Sequence, residues 1–141
     1  MIKFYKLKDP FGCFSNYDKT AFTYKGRLWK SVEHAYQAQK TLDLEEYELV
    51  FNAARPNDAR NLGQKVTMRK DFDNIKYNIM YECCLAKFSQ NENLKEILLS
   101  TENHELVEDS PIDYFWGCGA NNTGLNNLGK VLMEVRTDLK K

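Results

Sequence analysis

The spacing of apolar residues changes several times along the chain, and each change marks an element. Ile2 to Leu7 alternate well enough for a short strand. Phe22-Thr23-Tyr24 and Leu28-Trp29-Lys30 flank Lys25-Gly26-Arg27, which predicts a hairpin. Ser31 stands where a helix cap belongs, and the helix it opens runs to about Thr41. A second helix covers roughly Leu44 to Ala54. A third carries Pro56 in its first turn and stops at Gly63. The strongest helical spacing lies between Asp71 and Phe88, where Ile75, Ile79 and Cys83 recur beside Met80 and Leu85. Asn93 to Leu99 form a shorter helix and Leu106-Val107 a brief strand. In the last helix Leu128, Leu132 and Val135 make the buried stripe. The sum is mainly α with a small β element. Strands and helices do not alternate, so a parallel α/β sheet is not expected. No repeat, linker or low-complexity tract divides the sequence, and residues 1–141 are read as a single domain.

Composition narrows the function classes. Lys+Arg and Asp+Glu balance at 20 each, so no global field draws in nucleic acid or an anionic membrane. A local basic pocket stays compatible with that balance. Cys13, Cys83, Cys84 and Cys118 form no C-x-x-C pattern, so free thiols in a reducing cytoplasm are expected rather than a zinc site. No secretory apolar region opens the sequence, and no apolar run approaches the ~18 residues of a membrane span.

Four segments carry candidate chemistry. Between Asp113 and Gly129, three glycines (Gly117, Gly119 and Gly124) precede a helix whose N-terminus can receive phosphate, with Asn126 or Asn127 as its cap. Gly119-x-x-x-x-Gly124 is half of a phosphate-binding loop, but Leu125 and Asn126 stand where Lys and Ser/Thr are required. A glycine-rich surface turn packed over Phe115 and Trp116 is the competing reading. On the helix from Ser31, Glu33, Gln37 and Lys40 share one side, and Glu33 sits in the first turn, where the dipole favours a carboxylate. A dipole-complementing surface acid is the alternative. His34 has no companion at ligand spacing and reads as structural. Lys87 continues an apolar stripe through Met80, Cys83 and Cys84, so its amine is either a buried nucleophile or a snorkelling ammonium. In the segment from Asp9 to Tyr17, Phe14 and Tyr17 suit base stacking or core filling, and Asn16 suits a sugar hydroxyl or a turn.

Taken in order, these stretches resemble the NADAR/YbiA-like family. The matching segments are Pro10 to Tyr17, Ser31 to Lys40, Leu62-Gly63, Met68-Arg69, Ala86 to Asn91, Leu106 to Gly117 and Gly124 to Met133. Any one is weak, but the ordered set is specific and covers nearly the whole chain. The resemblance implies a compact, mainly helical fold and N-glycosidase activity. Substrates in such a family are riboflavin-pathway pyrimidine ribotides or ADP-ribosylated guanine, the latter including modified nucleic acid. It places catalytic roles on Glu33, Lys87 and Asp113, and base stacking on Trp116. Where many relatives carry Asp after Trp-Gly, this chain has Cys118.

N-glycoside cleavage builds positive charge on the ribose. An anionic Glu33 would stabilise it and activate water, and electrostatic groups of this kind are worth ~3–4 kcal/mol. Asp113 would protonate or hydrogen-bond the leaving base. Trp116, with Phe14 or Tyr17, would stack on it. Arg69 and the glycine turn would hold phosphate, and Asn16, Gln37 and Asn126 complete the expected substrate contacts. Lys87 would bind phosphate or form a Schiff base with C1. No metal and no cofactor are required. The rival class is a non-catalytic module binding ADP-ribose, which would have no need of Glu33.

Overall fold

The computed structural model describes residues 1–141 throughout. The order of elements is β1 (Ile2–Phe4), a 3-10 turn (Gly12–Phe14), β2 (Phe22–Tyr24), β3 (Arg27–Trp29), α1 (Val32–Ala38), α2 (Leu44–Phe51), α3 (Pro56–Gly63), α4 (Phe72–Gln90), α5 (Glu92–Ser100), β4 (Leu106–Glu108) and α6 (Asn127–Leu139). The chain is thus mainly α, with strands confined to two small pairs. No helix is long and apolar enough to cross a membrane.

The long helix α4 is the spine against which α1, α5, α6 and β2 pack. Its buried face, Ile79, Met80, Cys83, Cys84 and Phe88, meets Leu128, Val131, Leu132 and Val135 of α6 in one core. Phe14 joins this core edge-on to both Phe4 and Phe88. Asn91 ends α4, its side-chain amide donating to the Lys87 carbonyl at 2.7 Å, and α5 starts at the next residue. The hairpin β2–β3 forms as expected, with Lys25 and Gly26 both at positive φ in its turn.

Local periodicity does not reveal how β1 and β4 meet. They pair in parallel, Ile2 with Leu106 and Phe4 with Glu108, although they lie at opposite ends of the sequence. The N-terminal strand stops at Phe4 rather than reaching Leu7. Beyond it, Asp9 accepts from the Lys6 backbone at 2.9 Å and turns the chain away. The pairing sets Tyr5 and Lys6, just after β1, beside Glu108 at the end of β4, and all three line one cavity.

Helix α1 is buried along its whole length. Ser31 caps it, accepting from the His34 backbone at 3.1 Å. The His34 ring is held between the Ser31 hydroxyl at 2.7 Å and the Ala53 carbonyl at 2.9 Å. That makes His34 a strut that fixes the helix.

Candidate active site

A cavity of about 580 Å³ opens between α1, α3, α4 and the segments flanking β1 and β4. Its volume suits a small ligand. Glu33, Gln37, Lys40 and Tyr36 come to it from α1, Arg60 and Asn57 from α3, and Asn16 and Tyr17 from the loop after the 3-10 turn. Glu108, Asp113 and Trp116 also line it.

Glu33 is only 6 % exposed, so it is not a solvated surface acid. Burial pushes its carboxyl up from the ordinary range, while a hydrogen bond from the Gln37 amide (2.7 Å) and the charges of Arg60 and Lys40 oppose that rise. Lys40 is pushed down by its own burial and held up by Glu33. Asp113 turns one carboxylate oxygen onto the backbone N–H groups of Phe115 (3.0 Å) and Trp116 (2.7 Å). This Asx turn fixes Trp116, whose ring packs edge-on against Tyr36 and Phe115. Tyr17 reaches Asn57 at 3.4 Å and faces the Arg60 guanidinium.

Of the residues singled out in the sequence, Glu33, Gln37, Lys40, Asp113, Trp116, Asn16 and Tyr17 meet around this cavity. The others lie elsewhere. Lys87 is 1 % exposed and does not line it. Its ammonium donates to the carbonyls of Cys13 (2.6 Å) and Ser15 (3.3 Å) and pairs with Asp18 at 3.3 Å. It therefore clamps from behind the loop that presents Asn16 and Tyr17. Phe14 is core, not a stacking platform. Arg69 is tied to Asp71 through two bonds of 2.6 and 3.0 Å and is absent from the lining.

The glycine turn does not line the cavity. The N–H groups at the start of α6 are already used, Asn126 on Gly117, Asn127 on Phe115 and Leu128 on Trp116, at 3.0 to 3.1 Å. Gly117, Gly119 and Gly124 are required by packing. A methyl on Gly124 would stand 2.3 Å from the Gly117 carbonyl oxygen, and one on Gly119, at φ +73, would strike the Tyr114 ring. Asn126 does not line the cavity either. Its side chain accepts from the Glu108 backbone and donates to the Leu106 carbonyl, both at 2.9 Å, extending the β4 edge. Cys118 is buried with its thiol 3.4 Å from Asp109, outside the cavity lining.

Sequence reasoning missed Glu108, Arg60, Lys6 and Tyr36. Arg60 was detectable as the sole cation of α3, but nothing in the local pattern aims it at Glu33. Glu108 required the β1–β4 pairing. No group of three or more His, Cys, Asp or Glu side chains is arranged to hold a metal ion.

The cavity brings together carboxylates, a guanidinium and an indole, groups that can bind a small molecule and move protons. The chain belongs to the NADAR domain family, whose model matches residues 3–140. It is 45 % identical over 144 residues to the N-glycosidase Npun_R5314 of Nostoc punctiforme, covering 99 % of this chain and 92 % of that protein. The solved structure of Escherichia coli YbiA superposes with a TM-score of 0.92 at 35 % identity, over 99 % of this chain and 84 % of that one. The chloroplastic riboflavin biosynthesis protein PYRR of maize is 36 % identical over 156 residues, and the chain spans 25 % of its length. These relations make the chain an enzyme of the N-glycosidase class, a hydrolase of N-glycosyl bonds.

Proposed function

We propose that the enzyme hydrolyses the bond between C1′ of a ribose 5-phosphate and the nitrogen of a pyrimidine, the substrate class of early riboflavin intermediates. The observation that carries this reading is the Glu33 carboxylate, buried inside the cavity and flanked by Lys40 and Arg60 on rigid helices. Such an anion opposes the positive charge that grows at C1′ as the bond breaks. Trp116, fixed by Asp113, provides a flat face for the base. Arg60, Lys40 and Lys6 are the cations available to a phosphate, in place of Arg69 and the glycine turn. A cavity of about 580 Å³ with these few cations suits one ribotide. The name of the maize relative, a riboflavin biosynthesis protein, supports the same substrate class.

Asn16 and Gln37 are placed to hydrogen-bond sugar or ring, and Tyr17 to flank Arg60. Lys87 acts by holding the Cys13–Ser15 carbonyls, and so the Asn16–Tyr17 edge, in place. Its buried amine, pushed down chiefly by desolvation, keeps a covalent role open to test. Borohydride added during turnover should leave Lys87 unlabelled by peptide mass spectrometry, and a reduced sugar adduct there would replace the clamp with a Schiff base. Four free thiols accord with a reducing cytoplasm.

The deciding experiment incubates pure protein with the pyrimidine ribotide and, separately, with ADP-ribosylated guanosine, and follows freed base by chromatography. Release from the ribotide alone is expected. Release from the guanosine adduct alone would move the substrate class to ADP-ribose. Binding of ADP-ribose with no release from either would indicate a non-catalytic module.

A further inference from the structure

We propose that Glu108 is the catalytic acid that delivers a proton to the departing nitrogen, in the cavity it shares with Glu33. This assignment rests on the N-glycosidase reading above and adds a residue to it.

The backbone of Glu108 is locked on several sides. Its N–H donates to Asn126 at 2.9 Å, and its carbonyl accepts from Cys118 at 2.9 Å. The next residue, Asp109, donates to the Phe4 carbonyl at 2.8 Å. The side chain is then projected from the end of β4 into the cavity, where Oε2 is buried and has no hydrogen-bond partner. A rigid mount with an unsatisfied buried oxygen is an unusual arrangement, because such an atom ordinarily finds a partner during folding. A ligand that arrives in the cavity can supply one.

The charges around the cavity divide the work between its acids. Glu33 (α1) receives a hydrogen bond from Gln37 and has Lys40 and Arg60 for counter-charges, all of which favour the anion. Glu108 has no donor on Oε2, and faces the carboxylates of Glu33 and Asp113 with Arg60 the one cation that acts to lower it. Lys6 from the segment after β1, and the phenols of Tyr5, Tyr17 and Tyr36, complete the titratable lining. Burial, then the negative charges of Asp113 and Glu33, raise the Glu108 carboxyl to about 8. A carboxyl protonated at neutral pH is what a general acid requires. Burial also raises Glu33, so the two groups compete for a proton; the Gln37 donor and the charges of Arg60 and Lys40 beside Glu33 direct it to Glu108. Asp113 is the weaker candidate for this duty, since one of its oxygens already accepts two backbone N–H groups.

The step balances without a co-reactant other than water. As the C1′–N bond breaks, its electron pair stays on nitrogen and takes the Glu108 proton. Water adds to C1′ and gives a proton to Glu33. Ribose 5-phosphate and the free amine leave, and exchange with solvent returns Glu33 to its anion and Glu108 to its acid.

The test compares two leaving groups in wild type and Glu108→Gln. With the pyrimidine ribotide, whose nitrogen must be protonated, the variant should lose roughly 10²–10⁴-fold in kcat. The wild-type decline in rate on the alkaline side, as Glu108 ionises, should vanish with it. With 4-nitrophenyl riboside 5-phosphate, whose phenolate departs without a proton, the variant should stay within about threefold of wild type. Equal losses on both substrates would make Glu108 a positioning residue and overturn the assignment. Unchanged rates and an unchanged alkaline limb would overturn it as well. A carboxyl-carbon NMR titration of the wild-type protein gives a reading that does not depend on the variant's folding. A Glu108 signal already ionised at pH 6 would reject the proposal. Wild-type protein that cleaves neither substrate would instead remove the N-glycosidase reading, and this assignment with it.

Discussion

Helix α1 and the glycine turn before α6 look alike as sequences, since each combines polar side chains with a helix N-terminus. In the folded chain they differ in where their hydrogen-bonding capacity goes. The turn spends it internally: Asp113 holds Phe115 and Trp116, Asn126 completes the β4 edge, and the first amides of α6 bind the carbonyls of Phe115, Trp116 and Gly117. On α1 the strut side is satisfied through Ser31, His34 and Ala53, while on the cavity side the one side-chain bond is that from Gln37 to Glu33. The other side points Glu33, Gln37 and Lys40 into the cavity. The two buried polar oxygens without partners, Gln37 Oε1 and Glu108 Oε2, both belong to residues of the cavity lining. Folding thus leaves polar groups unspent on the cavity wall, whereas the glycine turn has used its own.

The largest effect should come from the α1 side. Glu33→Gln keeps the size and the hydrogen-bonding reach of the side chain but removes its charge. Turnover should fall by about 10²–10³-fold, with substrate binding and thermal unfolding close to wild type. Full turnover by this variant would leave the cavity without its charge-stabilising group and end the contrast.

The turn should respond in stability rather than in chemistry. Gly124→Ala forces a methyl to within 2.3 Å of the Gly117 carbonyl oxygen, where backbone meets backbone and neither side can swing away. A loss of about 3 kcal/mol is expected in urea unfolding. The folded fraction should retain most of its activity per molecule. A variant of normal stability with weakened phosphate binding would return the turn to the ligand-binding role that its sequence suggests.

Which parts were legible in the sequence follows the same division. Helices α1, α3, α4 and α6 were readable because each has its own signal: the Ser31 cap, Pro56 at the start and Gly63 at the end of α3, and the stripes of α4 and α6. Glu33 was visible as a first-turn acid, though its burial was not. The β1–β4 pairing joins residues from opposite ends of the chain, and with it the places of Glu108 and Lys6 in the cavity stayed out of sight. Lys87 was recognised as a lysine in an apolar stripe. What could not be read was that its partners would be the carbonyls of Cys13 and Ser15, because a backbone carbonyl carries no sequence signal. The glycine turn left two readings open for a related reason. Glycines that admit a ligand and glycines that admit another strand of backbone share one pattern, and only the neighbours distinguish them.

The smallest effect should be at Arg69. A guanidinium beside the Lys40 backbone invites a phosphate-binding role, and the Arg69 N–H does reach the Lys40 carbonyl at 2.7 Å. Its side chain, however, is engaged with Asp71, which is half exposed at the surface. An exposed pair of this kind contributes little, because water screens it and two long side chains must be ordered to make it. Arg69→Gln should therefore change kcat/KM for the ribotide by less than about twofold, a shift of the size expected when only a surface ion pair is lost. A large rise in KM with unchanged kcat would show that Arg69 leaves Asp71 to meet the phosphate. The substrate site would then extend past Lys40 toward the start of α4, beyond the cavity wall that α1 and α3 now define.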